Sequence, residues 1–175
     1  MKKILVFLII FLIPLNIYAK DTATSSIAID IDSGRILYEK NADEKRLIAS
    51  ITKIMTCIIA LENGNLEKDI KAGEEILKMY GTSIYLELNE KMKLIDLLYG
   101  LMLRSGNDAA VVIAKEIAGS EEKFVEMMNK KAKELGMNNT KFSNSHGLDE
   151  ETKNYSTATD IYFNPQTNLN VGFIN

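Results

Sequence analysis

SITKIMTCIIALENG, residues 50–64, is the stretch that sets the fold of this chain. Over this stretch apolar residues, such as Ile54, Met55 and Ile59, fall on more than one face of a helix. A surface helix shows a single apolar stripe, whereas a helix that is apolar on several sides is covered by other elements. We therefore predict a buried helix that begins near Ser50 and ends near Gly64.

Ser50 and Lys53 form a Ser-x-x-Lys pair at the start of this helix. A serine hydroxyl needs a neighbouring base to become a nucleophile, and helical residues three apart share a face, with Cβ atoms roughly 5–6 Å apart. Burial on so apolar a helix lowers the pKa of a lysine toward that of a useful base. The alternative is that Ser50 only caps the helix and Lys53 extends to water.

A second polar cluster, Ser105-Gly106-Asn107, follows another apolar segment. It offers a second hydroxyl that can pass on the proton of Ser50. His146 is the only histidine, which leaves little room for a Ser-His-Asp arrangement. The same three residues are also an ordinary turn composition between two helices.

The chain contains a second Ser-x-x-Lys sequence, Ser120-Glu121-Glu122-Lys123. Here the serine follows Gly119 and heads an acidic first turn, which is typical of a helix N-cap. We interpret Ser120 as a cap and not as a nucleophile.

The two motifs and their surroundings resemble those of one enzyme family. Ser50-Ile-Thr-Lys53 and Ser105-Gly-Asn107 match the first two of three motifs of the penicillin-recognising serine enzymes. Four further segments are similar to the D-alanyl-D-alanine carboxypeptidases among the low-molecular-weight penicillin-binding proteins: AIDIDSGRILYEKN (28–41), TSIYLE (82–87), DLLYGLMLRSGNDAA (96–110) and SHGL (145–148). The resemblance runs from about residue 23 to residue 160.

The resemblance implies an α/β fold, the β-lactamase/transpeptidase-like sandwich of an antiparallel sheet and a helical block. It also implies that Lys53 deprotonates Ser50, which attacks the bond between the two terminal D-alanines of a peptidoglycan stem peptide. Ser105 would relay the proton to the leaving amine, and Asn107 would hold the substrate amide and orient Lys53. β-Lactam antibiotics would be covalent inhibitors, and neither a cofactor nor a metal is implied.

The third motif of this family, Lys-Thr-Gly, does not occur in the sequence, and the nearest string is Lys71-Ala72-Gly73. We therefore expect a partial carboxypeptidase domain over residues 20–161 that lacks the C-terminal sheet strands and is inactive by itself. Residues 162–175, with Pro165 and several asparagines, are expected to be a divergent tail. A shifted reading frame after about Ile161 would explain this change of character.

Two other functions remain open at the level of sequence. A non-catalytic envelope fragment would keep the Ser50 and Ser105 motifs but would hydrolyse no substrate. The missing third motif supports this alternative. A β-lactamase would share the first motif and the fold. Gly106 disfavours a β-lactamase, because class A enzymes of that kind usually carry Ser-Asp-Asn in the second motif.

The N-terminus predicts export. Lys2 and Lys3 precede an apolar run over residues 4–13, and Ala19 is a small residue at a suitable cleavage position. We expect a signal peptide over residues 1–19 and a location in the periplasm or at the outer face of the cytoplasmic membrane, with an uncleaved anchor as the lesser alternative. The net charge of −3 argues against a nucleic-acid partner.

Local patterns predict the remaining elements. Residues 26–39 read as a hairpin with a two-residue turn at Ser33-Gly34, and residues 94–103 as a helix. Asp108 is expected to cap a helix over 109–118, and Ser120 one that stops at Gly136. Tyr80, Tyr85 and Tyr99 are predicted to be packing residues, and His146 a structural one. The single cysteine, Cys57, allows no intrachain disulfide and suggests a small buried hydrophobe.

Overall fold

The computed structural model describes residues 21–162, which form six short strands and five helices. The strands are β1 (Ser26–Ile29), β2 (Ile36–Lys40), β3 (Arg46–Leu47), β4 (Asp69–Lys71), β5 (Lys91–Lys93) and β6 (Tyr155–Ser156). The helices are α1 (Thr52–Asn63), α2 (Leu94–Arg104), α3 (Asn107–Ala118), α4 (Glu121–Glu134) and α5 (Ala158–Ile161), with 3₁₀ turns at Ala49–Ile51 and Glu74–Lys78. The predicted signal peptide and the tail beyond Tyr162 lie outside the described residues.

The strands form three antiparallel pairs within residues 21–162: β1 with β2, β3 with β6, and β4 with β5. The β3–β6 pair places Arg46 opposite Ser156, so a late segment of the chain lies beside the residues that lead into α1. The β4–β5 pair closes the long connection between α1 and α2. The β3–β6 and β4–β5 pairs therefore hold the segments that lead into α1 and α2.

The predicted hairpin is present, but its turn is wider than two residues. The Asp30 N–H donates to the Arg35 carbonyl at 2.9 Å, which leaves residues 31–34 in the loop. The Asp30 carboxylate accepts hydrogen bonds from the Ser33 N–H and Oγ at 2.8 and 2.6 Å. These hydrogen bonds hold Ser33 close to Asp30 within a four-residue loop, so the prediction of a two-residue turn at Ser33-Gly34 was wrong.

Helix α3 lies at the centre of the helical block and packs against α1, α2 and α4. Every residue from 107 to 114 is buried. One core cluster joins α3 to α2 and to Ala60 of α1, and a second joins it to α4 and to Met55 and Ile59 of α1. Helix α1 thus contributes apolar side chains to both clusters, as its sequence predicts. Cys57 packs against the first cluster but is only partly buried, so it lies at the edge of the core and not inside it as predicted.

The start of α4 confirms the interpretation of Ser120 as a cap. Ser120 Oγ accepts a hydrogen bond from the Lys123 N–H, and the helix begins at Glu121. The chain leaves this helix through Gly136, whose φ of 77° is a left-handed conformation that glycine adopts without strain.

The start of α3 differs from the prediction. The helix begins at Asn107, and Gly106 occupies the N-cap position without a side-chain hydrogen bond. Asp108 therefore lies inside the first turn and is not the cap. Its carboxylate is held by a loop some twenty-five residues earlier in the chain, which outcompetes the local capping role.

Tyr80, Tyr85 and Tyr99 are exposed, by 47%, 80% and 48%, so their prediction as packing residues was wrong. In the loop of residues 80–86 the packing residue is Ile84, whose side chain covers Gly100. A Cβ added to Gly100 would lie 2.8 Å from the Ile84 side chain. With Ile84 turned inward, its neighbour Tyr85 faces solvent.

Candidate active site

Ser50 lies on the 3₁₀ turn that leads into α1, and its side chain is exposed. The residue before it, Ala49, has a φ of 41°, a left-handed conformation that is unusual for an alanine. Lys53 lies one turn later, and its Nζ is 3.3 Å from Ser50 Oγ. The turn thus presents the hydroxyl to solvent and leaves the amine beneath it.

Lys53 is only 2% exposed, which excludes the alternative in which it extends to water. Besides Ser50, its Nζ donates to Asn107 Oδ1 at 2.8 Å and to the His146 carbonyl at 2.6 Å. No carboxylate pairs with Lys53 within residues 21–162. Burial lowers the pKa of Lys53 to about 8, because the ammonium is desolvated without a counter-charge.

Ser105 ends α2 in a left-handed conformation, with φ of 56°. Its Oγ donates a hydrogen bond to Ser50 Oγ at 3.0 Å. The second motif is therefore more than a turn between two helices, since its hydroxyl contacts the serine of the first motif. The structure brings Ser50, Lys53 and Ser105 together as the sequence predicts.

Asn107 is buried, and both ends of its amide have partners inside the protein. Oδ1 accepts from Lys53, while Nδ2 donates to the Tyr80 carbonyl at 2.7 Å. Its N–H donates to the Thr82 carbonyl at 2.9 Å. Asn107 thus orients Lys53 and at the same time fixes the loop of residues 80–86.

Asp108 holds the same loop and was missed as a site residue. Its carboxylate accepts hydrogen bonds from Ser83 Oγ and from the N–H groups of Ile84 and Leu86. Burial alone would raise the pKa of Asp108, but these hydrogen bonds outweigh it and hold the pKa below its usual value. The loop in turn contacts the second motif, because Thr82 Oγ1 donates to the Ser105 carbonyl at 2.8 Å.

His146 contributes through its backbone carbonyl, a role that its side chain does not signal in the sequence. Its ring Nδ1 accepts from the Leu148 N–H, and burial together with the charge of Lys53 lowers the pKa of His146 to about 4. The next residue, Gly147, has φ of 90°, and a Cβ there would lie 2.0 Å from the Ala49 carbonyl oxygen. This glycine lets the segment approach the turn that carries Ser50.

Residues 21–162 contain no group of three His, Cys, Asp or Glu side chains that could hold a metal ion. In the same part of the chain, no helix is long and apolar enough to cross a membrane. The arrangement that is present suits acyl transfer: an exposed hydroxyl, a buried amine of lowered pKa and a second hydroxyl in contact with the first.

Comparison with known proteins gives the family. The model of the D-alanyl-D-alanine carboxypeptidase family matches residues 16–164. The chain belongs to this family. It is 45% identical over 144 residues to the D-alanyl-D-alanine carboxypeptidase DacF of Bacillus subtilis (strain 168), and 40% identical over 152 residues to DacC of Escherichia coli (strain K12).

Solved structures of carboxypeptidase relatives share the fold. Penicillin-binding protein 5 from Haemophilus influenzae matches with a TM-score of 0.77 and 34% identity, over 85% of this chain and 45% of that one. DacD from Francisella tularensis matches with a TM-score of 0.75 and 33% identity, over 85% of this chain and 39% of that one. The expected α/β fold class is confirmed.

The match covers 79% of this chain but only 37% of each of the two curated carboxypeptidases. The chain thus spans well under half the length of these relatives. It includes both motifs described above.

Proposed function

We propose that this chain carries the nucleophile and the general base of a serine-type D-alanyl-D-alanine carboxypeptidase. The observation that supports this most directly is the buried Lys53, whose Nζ is 3.3 Å from Ser50 Oγ and whose pKa is lowered to about 8. A base with a pKa near the working pH is the most effective general base.

In this mechanism neutral Lys53 takes the proton of Ser50, and Ser50 Oγ attacks the carbonyl carbon between the two terminal D-alanines of a stem peptide. The peptide C–N bond then breaks, and Ser105 passes a proton to the amine of the departing D-alanine. Water hydrolyses the resulting ester and restores Ser50. Asn107 keeps Lys53 in place. We propose that Asn107 also contacts the substrate amide once its Nδ2 no longer donates to the Tyr80 carbonyl.

The same chemistry makes β-lactams covalent inhibitors, since their strained amide presents a carbonyl to Ser50. The substrate is part of the cell wall, so we propose that the protein acts in the bacterial envelope after export. Gly106 in the second motif favours a carboxypeptidase over a β-lactamase.

A fusion of residues 21–161 to the C-terminal part of the Bacillus subtilis relative tests the proposal. We expect it to release D-alanine from a diacyl-Lys-D-alanyl-D-alanine peptide, and Lys53→Ala to slow this release by roughly 10²-fold or more. Lys123→Ala, in the second Ser-x-x-Lys sequence, is the matched control and should leave the rate unchanged. Equal rates for the two variants would contradict the role of Lys53.

The second candidate is a non-catalytic envelope protein that keeps the Ser50 and Ser105 motifs; the 175 residues contain no Lys-Thr-Gly. The family resemblance implies that the strand with the third motif supplies one N–H of the oxyanion hole, and the loss of one such donor alone costs about 10²–10³ in rate. We therefore expect the 175-residue chain by itself to release no D-alanine. A folded fusion that also releases none would favour this second candidate.

A further inference from the structure

Glu121, in the first turn of α4, is a partly buried carboxylate that the mechanism above does not use. Its Oε1 accepts from the Ser145 N–H at 2.7 Å and its Oε2 from Ser145 Oγ at 3.1 Å. Ser145 is completely buried, so water cannot replace either bond. Burial raises the pKa of Glu121 despite these two hydrogen bonds.

Ser145 and the residue after it connect this carboxylate to α1. The Ser145 carbonyl accepts from Thr56 Oγ1 at 2.7 Å, and the His146 carbonyl accepts from Lys53 Nζ at 2.6 Å. Lys53 and Thr56 are three residues apart and share a face of α1. Two successive carbonyls of one segment therefore meet two successive turns of the helix that carries the base.

We propose that Glu121 is a positioning residue for Lys53. Glu121 accepts both hydrogen bonds that Ser145 donates, from its N–H and its hydroxyl, and so fixes this segment. The next carbonyl of the segment, that of His146, accepts from the Lys53 ammonium. The inference rests on the proposed function for the role of Lys53 as a base, but the contact itself can be measured without turnover.

Glu121→Gln changes the hydrogen bonding and leaves the size of the side chain almost unchanged. A glutamine has one acceptor oxygen where the carboxylate has two, so it can accept only one of the two hydrogen bonds that Ser145 donates. If its oxygen accepts from the Ser145 N–H, its NH₂ group donates to Ser145 Oγ, and the Ser145 O–H is left without its acceptor. A buried N–H or O–H left without an acceptor is costly, so the segment shifts to find one. The ammonium of Lys53 then loses its acceptor, and the pKa of Lys53 falls further.

The experiment is a pH titration of the Lys53 ¹³Cε resonance in the 175-residue chain labelled with ¹³C-lysine. In Glu121→Gln we expect the midpoint to fall by roughly half a pH unit or more, the equivalent of one weakened hydrogen bond. Glu122→Gln is the matched control, because it removes the same charge from the same turn at an exposed side chain that does not bond Ser145. Its Lys53 midpoint should equal that of the unsubstituted chain.

A Lys53 midpoint that is unchanged in Glu121→Gln, or lowered equally in Glu122→Gln, would overturn the proposal. If Glu121→Gln does not fold, Ser145→Ala decides, since it removes only the hydroxyl bond and should lower the midpoint by a smaller amount. An unchanged midpoint in Ser145→Ala would then overturn it. Failure of Lys53 as a base would appear separately, as normal D-alanine release by the Lys53→Ala fusion.

Discussion

The chemistry of the candidate site depends on Lys53, a buried lysine that lies beside a partly buried histidine. Lys53 has three oxygen acceptors but no carboxylate partner in the described part of the chain, so its pKa falls to about 8. His146 lies beside it, and its pKa falls to about 4. The positive charge of Lys53 disfavours a charge on His146, so His146 is neutral at the pH at which Lys53 begins to lose its proton.

The lowered pKa of His146 predicts a loss of stability in acid. Its value is about 4 in the folded chain against 6.5 for the ordinary side chain, so the unfolded state binds more protons between these two values. The contribution is fully present above about pH 6.5 and is lost as the pH falls toward 4. We expect the free energy of unfolding in urea to fall between pH 7 and pH 5.

The matched variant is His146→Asn, which keeps an acceptor for the Leu148 N–H but does not titrate. Its free energy of unfolding should vary less over the same interval. Because His146 is the only histidine, His146→Asn removes all histidine titration. If its free energy of unfolding fell as steeply with pH as that of the unsubstituted chain, other groups would cause the acid sensitivity.

At the scale of elements, the features that the sequence predicts correctly are those with a local cause. The apolar pattern of α1, the helical spacing of α2 and the Ser120 cap all depend on residues within a few positions of one another. The errors have distant causes. The carboxylate of Asp108 bonds to the loop of residues 80–86 and so does not cap α3. Ile84 packs over Gly100, which leaves Tyr85 exposed. No local pattern reports either contact.

The same distinction applies to the site. Ser50, Lys53, Ser105 and Asn107 carry motif signals in their side chains, and the structure brings them together. The carbonyl of His146 carries no such signal, because every residue has one. Gly147 was the available indication, since a glycine often marks a close approach of two backbone segments.

Asp108 provides the prediction at this scale. Asp108→Ala removes the acceptor for three groups of the loop and should destabilise the chain by roughly 1–3 kcal/mol. Hydrogen exchange at the amides of Ile84 and Leu86 should become faster, because both lose their acceptor. Exposed Asp96 in α2 supplies the control, and Asp96→Ala should leave these amides unchanged. Unchanged hydrogen exchange at Ile84 and Leu86 in Asp108→Ala would contradict the proposal that Asp108 holds this loop.

At the scale of the whole molecule, the described residues close a helical core around α3 but leave apolar surface elsewhere. The exposed apolar residues of the hairpin and of the segment around Ser50 include Ile36, Leu37, Tyr38, Leu47 and Ile51. A two-stranded hairpin is marginal in water without further cover. Since the chain spans 37% of its curated relatives, a fusion that adds the remainder of a relative's domain is the appropriate form for functional tests.

The most direct test of the central claim, that Ser50 is the nucleophile, is to map a penicillin adduct by mass spectrometry. The fusion described above is treated with a labelled penicillin and digested, and the modified residue is identified. We expect the label on Ser50, none on Ser120, and no adduct in Ser50→Ala. Labelling that persists in Ser50→Ala, or that maps to Ser120, would contradict the claim.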